Sequence, residues 1–157
     1  MDYPVLLRAV RAIEADGVPR LADIVRAASE VGAVFISRAY GAWYDIDEAT
    51  TAFTAGLDPV FVPPLGPGNV PTTSALLNEG QAILAQGQVD VLALSGDDRL
   101  QPLMVAAQAA QVPVTLVAHA CQPDGPCLGL AASAVPASEF LRTITRAERY
   151  RRPRSAA

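Results

Sequence analysis

The sequence predicts an α/β domain built on a mainly parallel sheet with helices on both faces. Two observations carry this expectation. From residue 33 onward, short β-branched runs alternate with Ala-rich segments whose apolar residues recur at helical spacing, the pattern of right-handed βαβ units. The run Val89–Ser95 (VDVLALS) is also nearly continuous in apolar residues, which suits a strand covered on both faces. With 157 residues, 51% of them hydrophobic and 18% charged, the chain suits one domain around one core and leaves its body little tendency to disorder.

The elements follow in order. Val5, Leu6, Ala9, Val10 and Ile13 mark a first helix, ended by Asp16-Gly17. Pro19 is expected to open a second helix carrying Leu21, Ile24, Val25 and Ala28, which ends near Gly32. Residues 33–40 (AVFISRAY) read as a strand, and Asp45 or Asp47 caps a helix through Ala55. A short strand over residues 59–62 precedes a Pro- and Gly-rich loop at 63–71. Thr72 or Thr73 then caps a helix to about Gln86. After the strand 89–95, a Gly-Asp-Asp turn leads into a helix over 100–111, and residues 112–119 (VPVTLVAH) form the next strand. A short helix near 128–132 and a last helix from Ser138 to about Tyr150 complete the expected order.

Composition narrows the function classes. No stretch approaches the roughly 18 apolar residues of a membrane helix, and the N-terminus lacks the basic-then-apolar order of a signal peptide. A cytoplasmic protein with no membrane partner is expected. All 12 cationic side chains are Arg. Six of them, with one Glu, fall from Arg142 onward, a net +5 against −9 for the rest. The acidic body is unlike a general nucleic-acid grip. The tail, residues 142–157, either binds RNA through Arg142, Arg146 and Arg149 or is a solvated helix end that complements its own dipole. No strand is followed by a Gly-x-Gly-x-x-Gly or Gly-Lys-Ser/Thr loop, so a nucleotide- or flavin-binding module lacks support. Cys121 and Cys127, with His119, lie in one Pro/Gly-containing loop. Three candidate ligands on one loop make a weak zinc signal, and a turn with reduced thiols is the plainer reading.

Three acids stand where chemistry would be placed, since sites in parallel sheets lie at the carboxyl ends of strands. Asp97 follows the apolar strand in Ser95-Gly96-Asp97-Asp98; it can hold a hard cation or cap the next helix. Glu79 shares a helical face with Leu76 and Ile83. A carboxylate on an apolar stripe must be paired, hydrogen-bonded, metal-bound or at the stripe's wet margin. Asp2 precedes the first helix and reads as a cap or a frayed end.

In order and spacing, these segments resemble the NYN/LabA-like branch of the PIN-type nucleases. The resemblance rests on Arg38-Ala-Tyr-Gly-Ala-Trp43, Pro63-Pro-Leu-Gly-Pro-Gly68, Val89-Asp90, Ser95-Gly-Asp-Asp-Arg-Leu-Gln-Pro-Leu103 and Leu128-Gly-Leu-Ala-Ala-Ser133, with Asp2-Tyr3 as an earlier match. It covers roughly residues 33–141, taken with the start as one domain, 1–141. It implies a three-layer α/β/α PIN-like fold and Mg²⁺- or Mn²⁺-dependent RNA cleavage. Asp97 and Glu79 would be the catalytic carboxylates and metal ligands, with Asp2 and Asp98 as weaker ligands.

The departures from the family's pattern matter as much. Where the family has acids, this chain has Thr73, Arg99 and Ser133, and its helical Asp is Glu79. A guanidinium about 5 Å from Mg²⁺ costs ~7 kcal/mol at an effective dielectric of about 20, which abolishes useful affinity if Arg99 points inward. Arg99 would then be free to hold a phosphate. Two functions are therefore expected: a metal-dependent endoribonuclease of weak or lost activity, or an inactive module that binds RNA or protein through Arg99 and the Arg-rich tail. The resemblance also places the family's first, central strand at Met1-Asp2-Tyr3, where only its last residues are present. Three expectations follow: the polypeptide starts further upstream, the sheet closes in another order, or a partner chain in a homodimer covers the gap.

Overall fold

The computed structural model describes residues 1–64 and 71–143. It is a mixed α/β fold with parallel strands. Helix α1 (Tyr3–Ile13) is followed by strand β1 (Gly17–Pro19), α2 (Leu21–Ser29), β2 (Arg38–Gly41), α3 (Ile46–Thr54), β3 (Asp58–Phe61) and α4 (Pro71–Ala85). Then come β4 (Leu92–Leu94), a 3-10 turn (Asp98–Leu100), α5 (Gln101–Ala109), β5 (Val114–His119), α6 (Pro126–Leu130), β6 (Ser133–Pro136), a second 3-10 turn (Ala137–Phe140) and β7 (Leu141–Thr143).

Two parallel groups, β2-β3 and β4-β5-β6, form the centre, and β1 pairs antiparallel with β7. The first two residues join the parallel groups. Tyr40 N–H donates to the Met1 carbonyl at 2.9 Å, and Asp2 N–H donates to the Ser95 carbonyl at 2.8 Å. Asp2 also pairs in parallel with Tyr40. Met1-Asp2 thus occupies the central position between β2 and β4.

The core lies on both sides of these strands. Ala39 and Val117 enter a cluster with Leu6, Val10 and Ile24, whereas their neighbours Tyr40 and Leu116 enter one with Leu76, Leu103 and Met104. Successive strand residues point to opposite faces, so α1 and α2 cover one side and α4 and α5 the other. The helices form where apolar residues recur every three or four positions: Leu6 and Val10 in α1, Leu21 and Ile24 in α2, and Leu103, Met104 and Ala107 in α5 are all buried. Asp45 caps α3 by accepting from Asp47 N–H at 2.8 Å.

Several expected boundaries move. Pro19 does not open a helix; it closes β1 opposite Leu141. Residues 33–37 are not strand, and only 38–41 pair. Among the described residues no strand pairs with the inner side of this segment, and Phe35 is 94% exposed. Strand β4 likewise covers only 92–94 of the expected 89–95. Thr72 and Thr73 lie inside α4, which starts at Pro71. The expected helix from Ser138 is instead a 3-10 turn and β7, preceded by the unforeseen β6. The folded unit therefore runs through Thr143, and Arg142 sits in β7 opposite Val18. Arg146 and Arg149 lie outside the described residues, as does most of the Pro- and Gly-rich loop. The two strand groups did not close directly onto one another. No helix among the described residues is long and apolar enough to cross a membrane.

Helices α4 and α5 meet at Gly80. A Cβ there would lie 2.6 Å from Leu103 Cδ2 and 2.9 Å from its Cδ1, and Leu103 is fully buried. Leu103→Ala is expected to cost about 2–5 kcal/mol. Gly80→Ala should be overpacked in the wild-type background and relieved in the Leu103→Ala background. A double-mutant cycle read by urea denaturation should give a favourable coupling of about 1 kcal/mol or more; strict additivity would refute this packing.

Candidate functional site

The carboxyl ends of β2 and β4 meet in a junction at Asp2, and Asp97 follows β4, whereas Glu79 reaches β2 from α4. Asp2 is 1% exposed. Its carboxylate caps α1 by accepting from Val5 N–H at 3.4 Å. It also accepts from the Thr72 hydroxyl at 3.1 Å and from the Thr73 hydroxyl. Both threonines are buried in the first turn of α4. A buried carboxylate without donors is expensive, and here the two side chains read from sequence as helix caps supply them. Thr73 thus stands where an acid would crowd Asp2 and gives it a proton donor instead.

Asp97 follows β4 and caps the 3-10 turn, accepting from Arg99 N–H at 3.1 Å. The Arg99 side chain turns back onto the same carboxylate. Its Nε lies 2.9 and 3.1 Å from the two oxygens and its Nη2 lies 2.5 Å from Oδ2. Burial by itself would raise the Asp97 carboxyl. The side-chain and backbone hydrogen bonds from Arg99, its charge and that of Arg8 more than offset this and hold the pKa below 3.8. The Arg99 guanidinium is pushed up, first by its hydrogen bonds to Asp97 and further by the charges of Asp97 and Asp2, against the effect of burial. Arg99 therefore points inward, and Asp97 is committed to it.

Glu79 shares its helix face with the buried Leu76, as the spacing predicts, and reaches β2. It forms an ion pair with Arg38 and accepts a hydrogen bond from the Tyr40 hydroxyl. The Tyr40 hydroxyl is itself raised above 10.0 by burial, partly countered by Arg38. The motif Ala39-Tyr-Gly-Ala-Trp43 acquires a physical role here. Tyr40 meets Glu79 on one side. A Cβ on Gly41 would lie 2.9 Å from the Trp43 ring, so only glycine admits the indole. That indole donates to the Val60 carbonyl at 2.9 Å and packs on Tyr3 with ring centres 4.8 Å apart.

Asp98, the suggested stand-in for an acid at 99, faces away from this junction. It accepts from Gln122 N–H at 2.8 Å and Cys127 N–H at 3.4 Å, and a Cβ on Gly125 would lie 2.2 Å from its oxygen. Asp98 thus holds the 121–127 loop closed. Among the described residues, the grouping of three ligand atoms within 4.8 Å of one another is Asp98, Cys121 and Cys127, not Asp2, Glu79 and Asp97. Both cysteines are free thiols. Burial, with Asp98 nearby, pushes Cys121 up to about 12 and Cys127 up to about 11. The third expected ligand, His119, ends β5, where Ala118 adopts φ 54° and the ladder to β6 shifts register. Its Nδ1 accepts from Cys121 N–H at 3.2 Å, and burial lowers its pKa despite Asp98. Ser133, at the start of β6, donates to the Thr115 hydroxyl at 3.2 Å.

The carboxylates predicted from sequence are therefore each engaged by groups of this chain. Sequence reasoning missed the partners Thr72, Thr73, Arg38 and Tyr40. Tyr40 was already in the quoted motif, but no local signal tied it to Glu79.

The Asp97–Arg99 pair sets a pH dependence. Asp97 ionises more easily folded than unfolded, so its contribution is complete above the ordinary carboxylate range and is lost as pH falls through the lowered pKa. Arg99→Gln should cost about 1 kcal/mol or less at pH 7, as for a partly exposed pair. The difference from wild type should vanish in strong acid when denaturation midpoints are compared; an unchanged difference there would contradict the pairing. In comparisons with known proteins, no family model, curated protein or solved structure matches this chain.

Proposed function

We propose that this chain is a NYN-like domain on a PIN-type, three-layer scaffold that binds RNA without cutting it. Support for the scaffold comes from the ordered motifs, the parallel strand groups and the position of Asp2 and Asp97 at the carboxyl ends of β2 and β4. The observation that carries the loss of cleavage is the two-pronged clamp of Arg99 on Asp97. Metal-assisted hydrolysis needs carboxylate oxygens open to the ion. Here Asp97 faces a guanidinium, Glu79 faces Arg38 and Tyr40, and Asp2 faces two hydroxyls. These residues do not fit a Mg²⁺ or Mn²⁺ centre as arranged, and no step is derived through one. RNA binding draws on Arg99, which keeps 38% of its side chain exposed, and on the Arg-rich segment beginning at Arg142.

The alternative, a working Mg²⁺- or Mn²⁺-dependent endoribonuclease, requires the Arg99 clamp to open. Calorimetric titration separates the two. Wild type should show no saturable Mn²⁺ site, whereas Arg99→Asp should bind Mn²⁺ at least tenfold more tightly than wild type. Labelled single-stranded RNA should stay intact with Mn²⁺ present and should bind with a steep salt dependence that weakens when residues 146–157 are removed. Cleavage by wild type that disappears in Asp97→Asn would defeat the proposal.

A further inference from the structure

A cavity lies in the middle of the parallel strands. It has a volume of about 890 Å³. Residues 33–38, leading into β2, form one wall, and residues 88–95, leading through β4, form the other. Ile24 and Ala28 of α2 close one face, Leu76 and Ile83 of α4 close the opposite face, and Met1 closes the end.

Backbone pairing at that end gives the width and direction of the slot. Met1-Asp2 bonds to Tyr40 on one side and to Ser95 on the other, so the gap is one strand wide. Its pairing with Tyr40 is parallel. The Met1 amino group donates to the Arg38 carbonyl at 2.8 Å, the next bond of the same ladder. Alternate residues of a strand present their N–H and C=O to opposite neighbours. Ser37 faces β3, accepting from Asp58 N–H, and Leu92 faces β5, donating to the Pro113 carbonyl. The same alternation turns the backbone of Ile36 and Arg38 on one wall, and of Ala93 on the other, toward the slot. Ile36, Arg38 and Ala93 are exposed, and an open strand edge of this kind is a template for pairing with a further strand. The wall beside them is apolar yet open: Val34 is 44% and Ile36 52% exposed.

We propose that the slot is a docking groove for one extended strand, parallel to β2 and β4 and joined to Met1 by a peptide bond. The occupant is a run of about five apolar, β-branched residues in the same polypeptide, matching the 33–38 wall at about 3.3 Å per residue. Both faces of that position meet apolar clusters, so the run is continuous rather than alternating.

The chemistry at Met1 favours a covalently continuous occupant over a separate one. The packed walls desolvate the Met1 ammonium and lower its pKa to about 5, against a smaller opposing effect of Asp2. A peptide N–H at the same atom gives Arg38 the same hydrogen bond without a charge. A strand from a second copy would have to end against that ammonium and leave its desolvation in place. This inference rests on the cavity and its backbone pairing, independently of any reading of RNA binding or cleavage.

The test has two arms. A C-terminal tag is added to the native coding region, and the purified protein is measured by intact mass. The expected mass exceeds the sum of the tag and the 16.4 kDa of the 157-residue chain, with an apolar run of about five residues directly ahead of Met1. A native protein beginning at Met1 would overturn the proposal. In the second arm, Val-Val-Val-Ile-Val is fused ahead of Met1 of the 157-residue chain and compared with the unfused chain and with a Val-Lys-Val-Lys-Val fusion. The apolar fusion should raise Tm by at least about 5 °C and slow amide exchange at Ile36, Arg38 and Ser95 at least tenfold, while remaining a monomer. The Lys fusion should do neither. Equal effects of both fusions, no effect of either, or an unfused chain that already protects these amides as a dimer would each overturn it.

Discussion

The structure depends on two backbone hydrogen bonds made by Met1 and Asp2. Without them, β2-β3 and β4-β5-β6 are separate parallel groups with no strand-to-strand bond between them. The two bonds set the register that brings Tyr40 of β2 and Ser95 after β4 to one level. The Asp2 side chain fixes a third element at the same point, because its oxygens accept from Thr72 and Thr73 of α4 while capping α1. Strand, entering helix and covering helix are thereby tied through one buried residue. Removing any partner would leave a buried charge or hydroxyl short of bonds, the costly side of hydrogen-bond energetics.

Most helices were legible because their cause is local. The spacings Leu6–Val10, Leu21–Ile24 and Leu103–Ala107 each define one buried face, and Asp45 sits where a cap belongs. Strands were legible in place but not in length. Residues 33–37 carry β-branched and aromatic residues like any strand, yet a strand exists only where a neighbour pairs with it. Among the described residues that neighbour is Met1-Asp2, which meets β2 at Arg38 and Tyr40. The segment 137–143 failed for the converse reason. A helix was expected from Ser138, but Leu141 and Arg142 are drawn into β7 by the distant Pro19 and Val18. Pairing at such separation leaves no trace in local spacing.

The site was legible as a set of residues and not as a set of contacts. Glu79 was identifiable because a carboxylate beside Leu76 demands a partner, and that demand is met. The partner itself, Tyr40, lies 39 positions away, and only the fold brings it near. Thr72 and Thr73 looked like caps because hydroxyls at a helix start usually accept from a backbone N–H; lying inside the first turn of α4, they instead donate to the buried Asp2 carboxylate beneath the helix. Asp98 is adjacent to Asp97 in sequence, but the turn sends the two side chains to different places, one to Arg99 and the other to the loop that Gly125 lets approach.

These contacts share an electrostatic logic. A metal centre holds like charges close together, so its carboxylates repel one another until a cation arrives, and that repulsion is part of what gives the cation its affinity. Here the repulsion has been dispersed. Asp97 has Arg99, Glu79 has Arg38, and Asp2 has two hydroxyl donors, so each negative charge is stabilised by a separate group. An incoming cation would find little unbalanced charge to neutralise and would have to displace a guanidinium already held at hydrogen-bonding distance. Arg99 therefore does more than place a positive charge near the carboxylates. It gives the neighbouring Asp97 a permanent partner, and it makes the junction of β2, β4 and α4 a self-compensated piece of structure.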